Sequence, residues 1–344
     1  MKQEIIEKWY SITRRIPLYW LLIIVLIGVI PFNLYINHFN NPIAHNEEPI
    51  ENCSLPYNLL RSNYNNKLDR PLLYAKLVEE DNNLMPLKDK INDYINGKKG
   101  PVLKSASVYF NILDSANGWF SINPDERYSI ASLLKVAFMT ALLKDVEDNP
   151  SLLNKKIHFN EHTGPAMSQD IIKNHLKFGE YYTLKELLKY AICYSDNDAG
   201  YLICDACKES TYKKLFSDLQ LPPDDLTQDY LCSVEEYARL FRVLYNASFL
   251  SNDMSEYALE LLSNSDFNDG IVKHLDKNLV VARKFGERGI DATRELHEYA
   301  IVYLHNRPYL LGIMTRGKDY KQLEDVISDI SLMVYNEMKK GSVQ

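Results

Sequence analysis

The sequence has little excess charge of either sign and no basic stripe. Its 344 residues contain 39 lysines and arginines against 46 aspartates and glutamates, which gives a formal net charge of −7. Because nucleic-acid-binding proteins cluster positive charge to neutralise phosphates, this composition argues against a nucleic-acid partner. The chain also has no long internal repeats, and its length and 46% hydrophobic content suffice for one large domain plus an anchor.

Cysteine is scarce and its number is odd. The five cysteines are Cys53, Cys193, Cys204, Cys207 and Cys232, so at least one is unpaired. Cys204 and Cys207 form a C-x-x-C pattern inside a predicted helix, but no second pair or histidine ligands accompany them. We interpret them as packing residues rather than as a redox or metal site. Whether any of the cysteines form a disulfide is left open, because the sequence does not give their connectivity.

Charge is absent from one long apolar run, residues 16–36. About twenty apolar residues suffice to span a bilayer, and aromatic residues such as Trp20 and Tyr35 suit its two interfaces. Basic residues precede the run and acidic residues follow it: Lys2, Lys8, Arg14, Arg15, then Glu47, Glu48 and Glu51. The positive-inside rule therefore predicts a single-pass anchor with the large domain outside the cytoplasm. A cleaved signal peptide is the alternative, although no small-x-small cleavage site follows the run.

The remaining pattern indicates an α+β domain. Residues 37–84 are rich in Asn, Pro and acidic residues, which predicts a stalk with a short helix near 71–77. A helix over 85–96 and strands over 107–113 and 119–122 follow, then mainly helices to about residue 263. Strands return at 278–282, 298–304 and 309–315, and a helix over 320–339 closes the chain. Strands at both ends with helices between predict an antiparallel sheet interrupted by a helical insertion.

Three short motifs carry the chemistry. In the first, Ser132-Leu133-Leu134-Lys135, the lysine lies one helical turn after the serine, so both side chains share a face. The residues after Lys135 predict a buried helix. A lysine in such a helix must either have a partner or have a lowered pKa. Such a lysine suits the activation of a serine nucleophile. Taken alone, the motif is also typical of a surface serine that caps a helix.

The second motif, Ser195-Asp196-Asn197, follows an amphipathic helix over 184–192 that Thr183 caps. The third, Lys284-Phe285-Gly286, follows a β-type run over 279–282. Taken alone, the second motif is also compatible with a polar turn, and the third with a basic strand edge. In this order, with the second in a helical region and the third at a strand, they are a strong signal.

The ordered motifs resemble the S-x-x-K, S-D-N and K-T-G set of the serine β-lactamase and penicillin-binding-protein family, most closely the class A β-lactamases, over residues 85 to 340. The resemblance implies an antiparallel five-stranded sheet flanked by helices, beside an all-helical subdomain, with the site at their junction. Together with the apolar run and the composition after it, the expected division is a cytoplasmic tail (1–15), a transmembrane anchor (16–36), an extracytoplasmic stalk (37–84) and a β-lactamase-like domain (85–344).

The resemblance also implies roles for individual residues. Ser132 is the nucleophile, Lys135 its base, Ser195 the proton relay and Lys284 the electrostatic anchor for the substrate. No metal or organic cofactor is implied. The implied substrate-binding residues are Asn197, for the substrate amide, and Phe285, Gly286 and Glu287, the last through a backbone N–H that forms the oxyanion hole with that of Ser132.

Two departures separate this chain from the family. The middle residue of the third motif is normally Thr or Ser, which helps to bind a substrate carboxylate, whereas Phe285 cannot donate a hydrogen bond. Carboxylate recognition would then rest on Lys284 and a nearby arginine. The candidates are Arg283, Arg288 and Arg294. A substrate with a different group at this place is the alternative.

The second departure concerns deacylation. Class A β-lactamases carry a water-activating glutamate in the loop after S-D-N, but the matching stretch, 221–232, contains none. Glu235 and Glu236 follow in the first turn of a helix capped by Ser233, where they complement the helix terminus. The remaining candidates to activate water are Asp224, Asp225 and Asp229.

Three functions are therefore compatible with the sequence. The first is a membrane-anchored extracytoplasmic serine hydrolase that is acylated at Ser132 by a β-lactam or related amide and hydrolyses it. The second is a DD-peptidase or penicillin-binding protein that acts on peptidoglycan peptides and deacylates β-lactams poorly. The third is a catalytically idle cell-wall-binding or sensor domain. The intact Ser132, Lys135, Ser195 and Asn197 argue against the third.

Overall fold

A computed structural model describes residues 57–62, 71–100, 102–114, 118–162, 170–222, 230–305 and 307–340. The predicted tail and anchor, residues 1–36, lie outside these ranges. Within the ranges described, no helix is both long and apolar enough to cross a bilayer.

Eleven strands and eight helices are described in these ranges. The strands are β1 (Tyr57–Arg61), β2 (Leu72–Leu77), β3 (Leu103–Ile112), β4 (Trp119–Ile122), β5 (Tyr128–Ser129), β6 (Lys156–Phe159), β7 (Glu180–Thr183), β8 (Leu231–Cys232), β9 (Val281–Ile290), β10 (Thr293–Val302) and β11 (Tyr309–Gly317). The helices are α1 (Met85–Lys98), α2 (Leu134–Asp148), α3 (Leu184–Cys193), α4 (Asn197–Ala206), α5 (Glu209–Asp218), α6 (Val234–Tyr245), α7 (Asn252–Ser263) and α8 (Tyr320–Lys340).

The main sheet has five antiparallel strands in the order β4-β3-β11-β10-β9. The first and last parts of the domain supply its strands, and α2 to α7 form most of the insertion between β4 and β9. The predicted five-stranded antiparallel sheet with a helical insertion is therefore confirmed. The insertion is not all-helical as expected, because β5 pairs with β8 and β6 with β7 in two small sheets. Strand β9 lies at one edge, so one side of its backbone faces away from the sheet.

Two hydrophobic cores cover the two faces of the sheet, and the alternation of side chains along β10 shows why. Tyr299 and Ile301 pack into the core that α2 to α7 share. Leu296, Ala300 and Val302 pack into the second core, with α1 and α8. Because successive side chains of a strand point to opposite faces, one strand contributes to both cores. The closing helix α8 thus completes the second core.

Local capping signals define the helices near the site. Thr183 and Glu186 form a reciprocal capping box at the start of α3, and Ser233 and Glu236 form another at the start of α6. Each box satisfies backbone N–H groups that have no partner within the helix. Both helix starts agree with the sequence predictions.

Two details differ from the sequence predictions. Residues 72–77 form strand β2, which pairs with β1, so the predicted short helix there is wrong. Leu60 and Leu73 of this hairpin are buried in the first core, and burial against the domain favours the extended pairing. In addition, β9 begins at Val281 and continues to Ile290, so Lys284-Phe285-Gly286 lies inside a strand rather than after one.

Close packing on β11 gives a testable consequence. A side chain at Gly312 would place Cβ 2.2 Å from the ring of Tyr299, whose hydroxyl is fixed by a 2.7 Å hydrogen bond to the carbonyl of Val234. We expect Gly312→Ala to lower the free energy of unfolding by roughly 1–3 kcal/mol through overpacking, measured by denaturant titration. In the matched control, Gly97→Ala, the new Cβ meets nothing within 4 Å. The control should leave stability unchanged or raise it by up to about 1 kcal/mol. Equal stability of the two variants would contradict the argument.

Candidate active site

Ser132 lies in a 3₁₀ turn, Ala131–Leu133, directly before α2. Ala131 has φ of +49°, a left-handed conformation that is uncommon for a residue with a Cβ. The turn is held from two sides: the hydroxyl of Tyr237 donates to the carbonyl of Leu133 (2.7 Å), and β9 approaches closely at Gly286. A Cβ on Gly286 would lie 2.7 Å from the carbonyl oxygen of Ile130, so the third motif requires glycine here.

Lys135 is buried and contacts three oxygen atoms. Its Nζ lies 2.7 Å from Ser132 Oγ, 2.6 Å from the carbonyl oxygen of Ser195 and 2.8 Å from Asn197 Oδ1. Gly200 leaves room for the lysine stem, since a Cβ there would lie 2.6 Å from Lys135 Cε. Burial lowers the pKa of Lys135 to about 7 although nearby carboxylates raise it.

The three contacts of Lys135 suit a general base. A neutral amine has two hydrogens and one lone pair. The carbonyl of Ser195 and the amide oxygen of Asn197 can only accept, so they take the two hydrogens. The lone pair is then left for the hydroxyl of Ser132. The arrangement therefore can withdraw the serine proton at near-neutral pH.

The second motif forms the turn between α3 and α4. Ser195 has φ of +63° and is fully buried. Asp196 fixes the turn as the N-cap of α4, because its Oδ1 accepts from the backbone N–H of Ala199 at 2.8 Å. Ser195 Oγ accepts from Lys284 Nζ at 2.6 Å, while its carbonyl contacts Lys135. Ser195 thus connects the two lysines.

Lys284 is fully buried and belongs to the middle of β9. Besides Ser195, its Nζ donates to the carbonyl of Phe285 at 2.7 Å. Burial and the positive charge of Lys135 hold the pKa of Lys284 well below its usual range. Three carboxylates oppose this shift: Asp266, Glu287 and Glu298.

Phe285 points away from the nucleophile. Its ring stacks on Phe267 with centroids 4.4 Å apart and is buried in the second core. Of the arginines considered for carboxylate binding, Arg283 donates to the carbonyl of Phe267, and Arg294 donates to its own turn. Arg288 is half-buried and lies within electrostatic range of Tyr201, whose pKa is raised by burial although Arg288 opposes the shift. Arg283 and Arg294 are therefore occupied within the fold.

Neither glutamate at the start of α6 reaches the site. Glu236 caps the helix and pairs with Arg127 at 2.9 Å. Glu235 pairs with Lys76 at 2.7 Å and accepts from Ser121. The helix-terminal interpretation thus holds for Glu236, whereas Glu235 binds the β1–β2 hairpin. Asp224, Asp225 and Asp229 lie outside the described residues.

Sequence reasoning missed the side chain of Glu287, which it considered only for its backbone N–H. Glu287 is 9% exposed, and its carboxylate accepts from the backbone N–H groups of Asp170 and Ile171, both at 3.2 Å. The need for glycine at position 200, which comes from the stem of Lys135, was likewise not foreseen. Both depend on contacts between distant parts of the chain, which no local pattern indicates.

The described cysteines, Cys193, Cys204, Cys207 and Cys232, are free thiols, and Cys53 lies outside the described residues. Cys207 donates to the carbonyls of Ile203 and Phe138, which fits a packing role. Among the residues described, no group of His, Cys, Asp and Glu could hold a metal ion.

Comparisons with known proteins agree with this geometry. A model of the β-lactamase enzyme family matches residues 86–338. β-Lactamase OXY-1 of Klebsiella oxytoca is 39% identical over 75 residues, which span 22% of this chain and 25% of the relative.

Two solved structures share the fold at low identity. A mutant of PBP-A, solved as an acyl-enzyme complex with penicillin G, has a TM-score of 0.62 at 21% identity and covers 75% of this chain and 97% of its own. The TLA-1 extended-spectrum β-lactamase has a TM-score of 0.64 at 16% identity, with 74% and 98% covered.

The lowered pKa of Lys135 predicts the pH dependence of acylation. Below a pKa of about 7 the amine is protonated and has no lone pair, so the acylation rate should rise with pH through about 7 and then level off. The measurement is the rate of adduct formation on Ser132 across about pH 5 to 9.

A control is needed because burial also raises the pKa of Glu298 to about 7. Glu298→Gln removes that titration and should leave the midpoint in place. A midpoint that disappears in this variant, or a rate that is still rising at the upper end of the range as for a lysine with its ordinary pKa of 10.5, would contradict the assignment to Lys135.

Proposed function

This chain belongs to the β-lactamase enzyme family, and from that premise we propose that it is a serine hydrolase that forms an acyl-enzyme on Ser132 and releases it slowly. The observation that carries the proposal is the position of Lys135 Nζ, 2.7 Å from Ser132 Oγ, with two carbonyl-type acceptors for its remaining hydrogens. That geometry prepares a hydroxyl for attack on a carbonyl.

The proposed acylation proceeds as follows. Ser132 Oγ attacks an amide carbonyl, Lys135 accepts the hydroxyl proton, and the C–N bond breaks. Ser195 passes a proton to the leaving nitrogen, and Lys284, 2.6 Å from Ser195 Oγ, keeps that hydroxyl oriented. The backbone N–H groups of Ser132 and Glu287 would stabilise the oxyanion. One oxygen–carbon bond forms and one carbon–nitrogen bond breaks. Lys284 replaces the proton that Ser195 gives to the nitrogen, and Lys135 keeps the proton from Ser132, so the step balances with one positive charge moved from Lys284 to Lys135.

Slow release is supported by the residues that follow the second motif. The segment 221–232 contains no glutamate, and Glu235 and Glu236 are engaged elsewhere. Without a glutamate in this segment to activate water, we expect the ester on Ser132 to persist. We therefore favour a penicillin-binding or peptidase-like function, with a peptidoglycan peptide as the natural substrate, over an efficient β-lactamase. The acyl-enzyme complex captured for the PBP-A mutant gives this a parallel in a protein of the same fold.

Intact mass spectrometry tests the proposal. The full chain is incubated with excess benzylpenicillin, or with a neutral thioester such as hippuryl mercaptoacetamide, beside Ser132→Ala. We expect a lasting adduct of the acyl mass in the native chain and none in Ser132→Ala. Consumption of the drug without a lasting adduct would contradict slow release, and the absence of both would favour an idle binding domain.

We also propose that residues 16–36 anchor the chain in the cell membrane with the catalytic domain outside the cytoplasm. The support is the uncharged apolar run with basic residues before it and acidic residues after it.

Cell fractionation tests the anchor. The full chain should stay in the membrane fraction after an alkaline carbonate wash, and protease added outside the cytoplasmic membrane should digest its domain. A chain whose residues 16–36 are replaced by a cleavable signal peptide should be released. Recovery of the full chain in the soluble fraction, shortened at its N-terminus, would instead indicate cleavage.

A further inference from the structure

A cleft separates the β1–β2 hairpin from α6, the helix beside it. Its volume is about 340 Å³, at the lower end of the range for pockets that hold small molecules. Residues of β1, β2, β3 and α6 line it, together with Gln220. The hairpin precedes residues 86–338, which the family model matches. One wall of the cleft is therefore not part of the region that the family shares.

The cleft lies away from the proposed nucleophile. Its residue from the main sheet, Tyr109, belongs to β3, whereas Lys284 belongs to β9, three strands further across the sheet. Because neighbouring strands are about 4.8 Å apart, these two strands are separated by roughly 14 Å. The residues of α6 that line the cleft also differ from Tyr237, which holds the turn of Ser132 from another face of the helix. A ligand in the cleft would thus occupy a separate site.

Positive charge predominates on the walls. Three cations line the cleft, and Glu235 is the one carboxylate on its walls among the residues described. Lys76 pairs with Glu235 at 2.7 Å, so these two charges compensate each other. The other two cations, Arg239 and Arg242, form no ion pair with a carboxylate within the described ranges. The charges of the two arginines are therefore uncompensated.

The titration of Lys76 responds to this charge. Burial lowers the pKa of Lys76 below its ordinary value, and the charges of Arg242 and Arg239 lower it further, although Glu235 opposes them. Like charges disfavour each other's ionised form only when they lie close together. The fields of the three cations therefore overlap in the cleft, and an anion placed there would relieve their repulsion.

Both arginines are held in position by backbone carbonyls. Arg239 donates through Nη1 to the carbonyls of Leu219 at 3.0 Å and Gln220 at 2.7 Å. Arg242 donates through Nη2 to the carbonyl of Ala75 at 2.8 Å, while its buried Nε has no hydrogen-bond partner among the described residues. A guanidinium has five N–H donors in a planar fork that matches a carboxylate or a phosphate. Because the side chains are already ordered, binding an anion costs little further entropy.

Aromatic and aliphatic groups form the remainder of the cleft. The side chains of Tyr74 and Tyr109 line it, and the guanidinium of Arg242 lies over the ring of Tyr74, 4.9 Å from its centroid. Leu59 and Leu60 add apolar surface from β1. Small-molecule pockets typically combine such apolar walls with a few polar groups that fix the orientation of the ligand. The walls therefore suit an organic body rather than a bare inorganic ion.

We propose that the cleft between the β1–β2 hairpin and α6 binds a compact organic anion, whose carboxylate or phosphate group is held by Arg239 and Arg242. The apolar part of this ligand packs against the tyrosine rings and the leucines of β1. The ligand is not a substrate of Ser132, so the proposal stands independently of the acylation chemistry.

Isothermal titration calorimetry tests the site on the full chain in a non-ionic detergent and a chloride-free buffer. The probes are benzoate, phenyl phosphate and benzamide, which share a phenyl ring and carry a carboxylate, a phosphate and a neutral amide. We expect saturable binding of one anion per chain for at least one of the two anionic probes, and no binding of benzamide over the same concentrations. The tighter of the two anions identifies the preferred group.

Three variants locate the binding. Arg239→Gln should weaken the affinity at least about tenfold, the equivalent of one charge-assisted hydrogen bond. Glu235→Gln removes the carboxylate from the wall and leaves Lys76 available, so it should tighten the affinity by about threefold or more. In the matched control, Arg127→Gln, the arginine lost is one that pairs with Glu236 outside the cleft, and the affinity should be unchanged.

Several outcomes would overturn the proposal. These are the absence of binding for both anions, equal binding of benzamide, and an equal loss of affinity in Arg239→Gln and Arg127→Gln, which would indicate a general effect of charge. Melting curves followed by circular dichroism check that Arg239→Gln is folded. If it is not, Glu235→Gln decides the matter, because a gain of affinity does not arise from misfolding, and an unchanged or weaker affinity in that variant would exclude the site.

Discussion

The site depends on the burial of two lysines that share one serine. Lys135 and Lys284 are both withdrawn from water, and Ser195 contacts the first through its carbonyl and the second through its hydroxyl. Two ammonium groups that are both buried beside Ser195 would repel each other, and each would lose its hydration. Burial lowers the pKa of both amines, so at least one can be neutral near pH 7, whereas the surrounding carboxylates stabilise an amine that is charged. Burial disfavours the charged form of both lysines, and for the same reason it suits Lys135 to accept a proton.

The two cores fix this arrangement from opposite sides of one sheet. Along β9, Ala282 and Lys284 face the helical subdomain, whereas Val281 and Phe285 face α1 and α8. The alternation places Lys284 beside Ser195 and explains why Phe285 can be tolerated within the motif. An aromatic ring at this position fills the second core against Phe267. The site therefore has no hydroxyl donor at position 285, and the second core contains a stacked pair of aromatic rings instead.

Local chemistry explains how much could be predicted from the sequence. Ser132 and Lys135 lie within one helical turn of each other, and Thr183 and Ser233 each cap the helix that directly follows. Because these interactions are short-range, the sequence pattern predicts them. The β2 strand at 72–77 was mistaken for a helix because its pairing with β1 and its burial against the domain are tertiary effects. The bridge from Glu287 to Asp170 joins residues more than a hundred positions apart, and Gly200 is required only because Lys135 crosses it. Such contacts have no local signature.

Glu287 connects the electrostatics of the lysines with the missing hydroxyl of the third motif. A site that binds an anion needs a donor or an available cation at the point of contact, and it must desolvate both partners. Here Phe285 removes the donor, while Glu287 places an anion next to the same strand and uses both oxygens to hold segment 170–176. Lys284 faces carboxylates of the protein itself, and these oppose the lowering of its pKa by burial and by Lys135. The acylation geometry around Ser132 is unaffected by this change, because Lys135, Ser195 and Asn197 keep their contacts. The contacts around Ser132 and the bridge from β9 to segment 170–176 are therefore made by different residues of one site.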